Sequence, residues 1–406
     1  MQKFLKQTFS ALKYPNYRLW FAGQLVSLVG TWMQTTAQGY LVYELTHSPA
    51  YLGYVGFAAG APVWLFTLYG GVIADRVSRR NLMMITQTVM MVLALILASL
   101  TFLGVIQPWE IIVLAFGLGT ANAFDVPSRQ AITSELVNLE DLTNAIALNS
   151  SMFNMATVVG PAVSGLTYVA LGPAWCFFIN SLSFIAVIIA LALMKLPPMP
   201  IRQRTTSAMT DIKEGIRYVM ATPMLRTLIT IPAMTSVFGM SYMTLIPAWS
   251  VNVLHGDATT NGLLLSARGL GALSAALMIA SLGRFSFKGK LLTIGSFSFP
   301  ILLLVFSEMR WLPLSLLALV GVGWGFMLIM NMANALVQTL VSDELRGRVM
   351  SIYMLGFFGL MPVGALMAGG VAELIGEPNT IFVSSLVSLL FAVYLWINVP
   401  KLRALP

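Results

Sequence analysis

Five uncharged polar residues, Gln24, Ser27, Thr31, Gln34 and Gln38, follow one another at steps of 3, 4, 3 and 4. On a helix that spacing gathers them into one stripe along a surface otherwise written in Leu, Val, Trp and Met. A second stripe, Trp324, Met327, Asn331, Asn334 and Gln338, repeats the device late in the chain. Amides and hydroxyls so placed can hydrogen-bond a solute or bind a neighbouring helix, but they cannot face hydrocarbon cheaply. Met234, Phe238, Tyr242, Met243 and Trp249, with Phe116, Asn122 and Phe124, add aromatic and thioether surface suited to a bulky amphipathic solute, or to plain packing.

Three of the charged side chains within apolar runs could do chemistry. Arg268 lies about ten residues into its run, ~15 Å deep at 1.5 Å per residue. There an arginine costs several kcal/mol unless it is paired or wet. It can bind an anionic group such as a catecholate, carboxylate or phosphate, or it can hold a nearby carbonyl or carboxylate. Glu44, near the end of the first run, and Asp125, near the end of the fourth, are the candidates for carrying a proton. Both read as lying away from mid-depth.

Other chemistry has no residues to perform it. No G-x-x-x-x-G-K-[ST] occurs, and no G-x-S-x-G. The two histidines, His47 and His255, and the single cysteine, Cys176, form no metal-ligand spacing. The sequence therefore predicts neither an enzyme nor a cofactor or metal. Cys176 reads as small packing filler.

These side chains must be positioned by membrane helices. Of 406 residues, 58% are hydrophobic and 9% charged, and mean hydropathy is +0.83. Soluble domains are about 25% charged, so an ordinary cytosolic protein is excluded. Twelve apolar runs are long enough to cross ~30 Å of hydrocarbon, roughly 19–45, 49–74, 81–104, 109–130, 141–170, 173–195, 222–252, 258–283, 289–307, 311–339, 347–373 and 379–399. In lipid all of them must be helices. The first is too long for a signal peptide and is expected to remain as an anchor. The net charge is +8. Of 23 Lys and Arg, all but Arg310 and Arg268 fall on one side, which places both termini in the cytoplasm and makes the membrane, not nucleic acid, the reason for the charge.

The longest polar stretch, 196–221, opens with Pro197, Pro198 and Pro200. It then turns amphipathic, with Ile212, Ile216 and Val219 against Asp211, Lys213, Glu214 and Arg217, and predicts a helix on the cytoplasmic membrane face. It divides the chain into six-span halves, 1–195 and 222–406. Pro15-Asn16-Tyr17-Arg18 matches Pro223-Met224-Leu225-Arg226 at an offset of 208, which also carries Arg76, Ser78 and Arg80 onto Arg284, Ser286 and Lys288. Pro161 has a rough counterpart in Pro362.

Parallel six-helix halves with both ends inside are the architecture of major facilitator transporters. Gly71 to Arg80, with Asp75, Arg76, Arg79 and Arg80, resembles that superfamily's loop 2–3 signature G-x-x-x-D-R-x-G-R-R, with Ser78 at the second glycine. Val159 to Gly165 resembles the helix 5 antiporter motif, with Ala156 and Ser164 at two of its glycines. Asp125-Val-Pro127-Ser-Arg129 and Glu344-Leu-Arg346-Gly347-Arg348 resemble the enterobactin-exporter-like bacterial family. The resemblance implies a central cavity surrounded by helices 1, 4, 7 and 10. Gln24, Thr31, Gln34, Gln38, Asn122, Phe238, Tyr242, Arg268, Trp324, Asn331 and Asn334 are then the substrate-binding candidates. It also implies a cytoplasmic gate of Asp75, Arg76, Arg79, Asp125 and Arg129, and protons as coupling ion through Glu44 or Asp125.

The expectation is an all-helical, twelve-span secondary transporter of a bacterial cytoplasmic membrane. It would act as a monomer and export a siderophore-like or drug-like small molecule by alternating access. A broad multidrug pump, a lysophospholipid flippase and a transport-inactive sensor or scaffold are the alternatives.

Overall fold

A computed structural model describes residues 9–76, 78–194, 208–283 and 285–406, with the side chains of all but 67–76 and 208–212. Twelve long helices carry the chain back and forth: α1 Pro15–Thr46, α2 Pro49–Arg76, α3 Arg79–Phe102, α4 Pro108–Leu136, α5 Leu139–Leu171, α6 Pro173–Leu193, α7 Pro223–Asn252, α8 Ala258–Ser281, α9 Lys288–Glu308, α10 Leu312–Leu340, α11 Asp343–Ile375 and α12 Glu377–Asn398. Among the described residues, ten of these are long and apolar enough to cross a membrane. The other two are α1, whose polar stripe dilutes its apolarity, and α2. Proline opens α1, α4, α6 and α7, where its missing N–H would have had no helical partner.

The internal repeat is visible in the backbone. His47 ends α1 and His255 follows α7, 208 residues apart, and both are left-handed at φ 51°. They are the only non-glycine residues with positive φ among those described. The repeat breaks elsewhere. The expected uninterrupted spans 7 and 11 each widen into a π turn, at Thr235–Gly239 and Leu355–Gly359. In α11 the π turn lies just before Pro362, which has no N–H for the Phe358 carbonyl. The Ser236 hydroxyl donates to the Phe357 carbonyl at 2.6 Å, joining the two widened turns. Pro161 leaves α5 helical throughout.

Helices α1–α6 pack among themselves, as do α7–α12, and the halves meet where α5 runs along α8 and α2 along α11. Both seams are tightest toward the end away from the termini. A Cβ on Gly262 would stand 2.3 Å from the Pro161 carbonyl, and one on Gly53 2.9 Å from the Ala365 carbonyl. Hydrogen bonds tie the halves at mid-seam, from the Trp64 indole to the Gly359 carbonyl and from the Ser266 hydroxyl to the Val158 carbonyl at 2.7 Å, and again at this end. Glu373 accepts from the Ser48 hydroxyl at 2.7 Å and the Ala50 N–H at 3.3 Å. Asn252 donates to the Tyr43 hydroxyl and, at 2.8 Å, to Glu377. Toward the termini, the ion pairs among described side chains of the two six-helix sets lie within one set: Arg79 with Glu135, Arg129 with Asp125, Arg346 with Asp343.

The amphipathic linker helix, Ala208–Ala221, is docked rather than free. Glu214 meets Arg348 of α11 at 2.8 Å, Gly215 lies against Arg348 and Ile352, and Val219 is buried. Ile216, expected on the same apolar face as Val219, points outward, because α11 takes the Val219 side. Pro197 to Arg204 and Arg284 lie outside the described residues.

Candidate functional site

Arg268 is set by a backbone-to-backbone contact. A Cβ on Gly323 of α10 would lie 2.0 Å from the Arg268 carbonyl, and one on Gly271 1.8 Å from the Val320 carbonyl. Only glycines let α8 and α10 approach so closely. The side chain then crosses Phe326, with its guanidinium carbon 5.4 Å from the ring centroid. The Tyr242 hydroxyl of α7 lies within electrostatic reach. Arg268 is 9% exposed and pairs with no carboxylate among the described residues. Its Nε lacks a hydrogen-bond partner, and the Tyr242 hydroxyl lies close enough to interact with the guanidinium. A buried cation with no carboxylate partner among the described residues can receive an anion.

Around it, α10 presents the expected stripe. Trp324, Met327, Asn331 and Asn334 are half-buried and Gln338 is exposed. Asn331 donates to the Met327 carbonyl at 3.1 Å and Gln338 to Asn334, so these amides bond along their own helix. Asn122 of α4 does the same, to Leu118 at 3.1 Å. Phe238 is half-buried in the π turn of α7.

The α1 stripe is arranged differently. Gln34 accepts from Asn180 of α6 at 2.6 Å, with Gly30 pressed against Asn180 and Ser183. Gln34 is thereby engaged in helix–helix packing. Gln24, Ser27 and Gln38 are buried, and Thr31 is half-buried with its hydroxyl on the Ser27 carbonyl. Period alone could not separate the two stripes, since both repeat at 3.5 residues while their neighbours differ.

Of the expected gate, Asp75 and Arg76 lie outside the described side chains. Arg79 pairs with Glu135, and the Arg129 Nε stands 3.8 Å from Asp125. Helix α4 continues past Asp125 through Pro127 to Leu136, eleven residues further, about 16 Å at 1.5 Å per residue. Asp125 is buried, 1% exposed. Glu44 is exposed, and its carboxylate accepts from the Tyr168 hydroxyl. Sequence reasoning missed Thr86 and Gln87, which reach Asp125 from α3, and the Glu373 and Glu377 ties. Glu377-Pro378 reads in sequence only as a break between spans.

Residues 6–405 match the family model of the transmembrane secretion effectors. The chain is 25% identical to a staphyloferrin A transporter of Staphylococcus aureus, covering 89% of this chain and 91% of that one. It is 25% identical to the multidrug efflux pump Tap of Mycolicibacterium fortuitum, over 94% and 95% of the two chains. It is 24% identical to the enterobactin exporter EntS of Shigella flexneri, over 96% and 93%. Among solved structures, the nucleoside transporter NupG superposes with a TM-score of 0.70 at 14% identity, over 94% of this chain and 98% of that one.

Proposed function

We propose, from the premise that the chain belongs to the transmembrane secretion effector family of major facilitator transporters and is a secondary transporter of the efflux type, that its cargo is a bulky amphipathic small molecule bearing an anionic group. The observation that carries this reading is Arg268, a buried guanidinium with no carboxylate partner among the described residues, its Nε unpartnered and the Tyr242 hydroxyl beside it. A cationic cargo would gain nothing from such a group and would be repelled by it. The half-exposed α10 face, with Asn331, Asn334 and Trp324, supplies uncharged hydrogen bonds and an aromatic surface for the rest of the molecule.

With both termini in the cytoplasm, as the distribution of Lys and Arg places them, the interlocked end of the bundle faces outward. The cargo then enters from the terminal side, and the halves rock about the α5–α8 and α2–α11 seams to release it outside. Protons drive the exchange, carried by Asp125 rather than Glu44. Asp125 is buried in the first half, whereas Glu44 is exposed near the end of α1. The protein works as one chain in a bacterial inner membrane.

The test is efflux from proteoliposomes carrying wild type or Arg268→Ala, with a catecholate siderophore and the cationic dye ethidium, with and without a pH gradient. Siderophore efflux that requires both Arg268 and the gradient is the expected result. Ethidium efflux that is indifferent to Arg268, with no siderophore movement, makes the protein a broad multidrug pump. The Tap relative and the methionine and aromatic residues of α7 favour that second reading.

A further inference from the structure

Asp125 faces α3 through its Oδ1. The Gln87 Nε2 donates to that oxygen at 3.0 Å, and the Thr86 hydroxyl lies 2.8 Å from it and 3.0 Å from the Met83 carbonyl. Two oxygens of this cluster have no hydrogen-bond partner, Asp125 Oδ2 and Gln87 Oε1. Asp125 is 1% exposed and Gln87 2%. If the carboxyl is ionised, both idle oxygens are acceptors, on groups already in contact, with no donor left between them. Buried acceptors left in that condition are unfavourable. The Arg129 Nε, one helical turn on, is ion-paired with that same Oδ2 at 3.8 Å, beyond hydrogen-bonding distance.

One proton resolves both vacancies. Placed on Oδ2, it is donated to Gln87 Oε1, while the Gln87 Nε2–H remains on Oδ1. Carboxylic acid and primary amide then hold each other by two hydrogen bonds. We propose that Asp125 and Gln87 form a buried proton-binding site, with Asp125 carrying the proton and Gln87 positioning the loaded acid. This deepens the proton-exchange reading and rests on it.

Release follows from the other neighbour. When the proton leaves for water, the carboxylate loses its bond to Gln87 Oε1, and the Arg129 guanidinium can close the remaining gap onto Oδ2. The acid is therefore held by an amide when loaded and by a cation when empty. No bond other than O–H is made or broken. The charged groups around it are few. Helix α3 brings Arg79 and Arg80 at its first turn, held by Glu135 and by the Ala192 carbonyl. Helix α2 brings Asp75 and Arg76 in its last turn, outside the described side chains. Helix α5 has Glu140 and Asp141 in its first turn, and α1 has no charged residue between Arg18 and Glu44.

The experiment combines two readouts on the purified full chain. Infrared difference spectra against pH should show a carboxylic-acid C=O band that Asp125→Asn abolishes. Gln87→Leu should move the C=O frequency of that band, because the protonated carboxyl loses its amide partner. In proteoliposomes, Asp125→Asn should lose the acceleration of catecholate siderophore efflux that an imposed pH gradient gives wild type. A band that survives Asp125→Asn, or gradient acceleration that survives it, overturns the site. A band that ignores Gln87→Leu overturns the role of Gln87. If wild type shows no gradient response while the band titrates as described, the coupled-export reading fails and the proton site stands.

Discussion

Replacing Arg268 by alanine separates a binding role from a structural one because the two make opposite forecasts for stability. A buried ion pair broken by removing one partner costs about 3–5 kcal/mol, through the charge left behind. Arg268 has no carboxylate partner among the described residues, so its removal leaves no such charge. What is lost is the contact over Phe326 at 5.4 Å, about 0.5–2 kcal/mol, and some packing volume. Relief of the buried cation offsets that loss. Thermal unfolding in detergent should accordingly change little. Binding should change much. A hydrogen bond to a charged group contributes roughly 1.5–3 kcal/mol, so affinity for an anionic cargo should fall about 10- to 150-fold. Arg268→Lys should recover part of this, since charge returns without the planar fork. The assay is cargo titration by thermal shift beside initial efflux rates. A large loss of stability together with unchanged efflux of the anion would refute the reasoning and make Arg268 a strut.

Three further outcomes follow from particular contacts. Glu373→Gln weakens the tie to Ser48 and the Ala50 N–H by about 1–2 kcal/mol, so impermeant thiol labelling of a cysteine near the outer ends of α2 and α11 should rise several-fold; unchanged labelling would mean the tie does not hold that end shut. Asn180→Leu strands the buried Gln34 amide and should destabilise the fold by roughly 1–3 kcal/mol with no change in cargo affinity, read by unfolding and by thermal shift with cargo. In the linker helix, Glu214→Ala should cost at most about 1 kcal/mol because that pair is half-exposed. Gly215→Leu, whose Cβ would meet Ile352 at 2.8 Å, should lift the helix from α11 and slow efflux.

The spans were legible because hydrocarbon imposes one rule on every segment, and the resulting edges fall within a few residues of the observed ends. The repeat was legible at Pro15 and Pro223, though the matched histidines at its turns were not noticed as such. What escaped the sequence is partner choice. Gln34 and Asn331 sit in stripes of the same period, and only the presence of Asn180 beside one of them separates their roles. The inner length of α4 was not legible, because the apolar run fades at Arg129 while the helix persists to Leu136. The π turns escaped for a related reason. A proline in α5 leaves its helix regular and one in α11 does not, so the residue alone does not decide the outcome.

The two proposed sites lie in different halves, Asp125 with Gln87 in the first and Arg268 with Tyr242 in the second, and nothing bonds one to the other. A proton on one site can influence cargo on the other only through the seams between the halves. That assigns the coupling to the interlocked end, where Gly262 faces the Pro161 carbonyl and Gly53 the Ala365 carbonyl. Gly262→Leu cannot seat in this arrangement: its Cβ would stand 2.3 Å from a backbone oxygen. The seam must part, and the halves should then move with less dependence on each other. In proteoliposomes under a pH gradient, that variant should dissipate the gradient without cargo, where wild type does not. Siderophore exchange at zero gradient should persist, showing that the chain is folded. A tight variant with normal coupled efflux would place the linkage elsewhere, and the α2–α11 seam around Gly53 would be the remaining candidate.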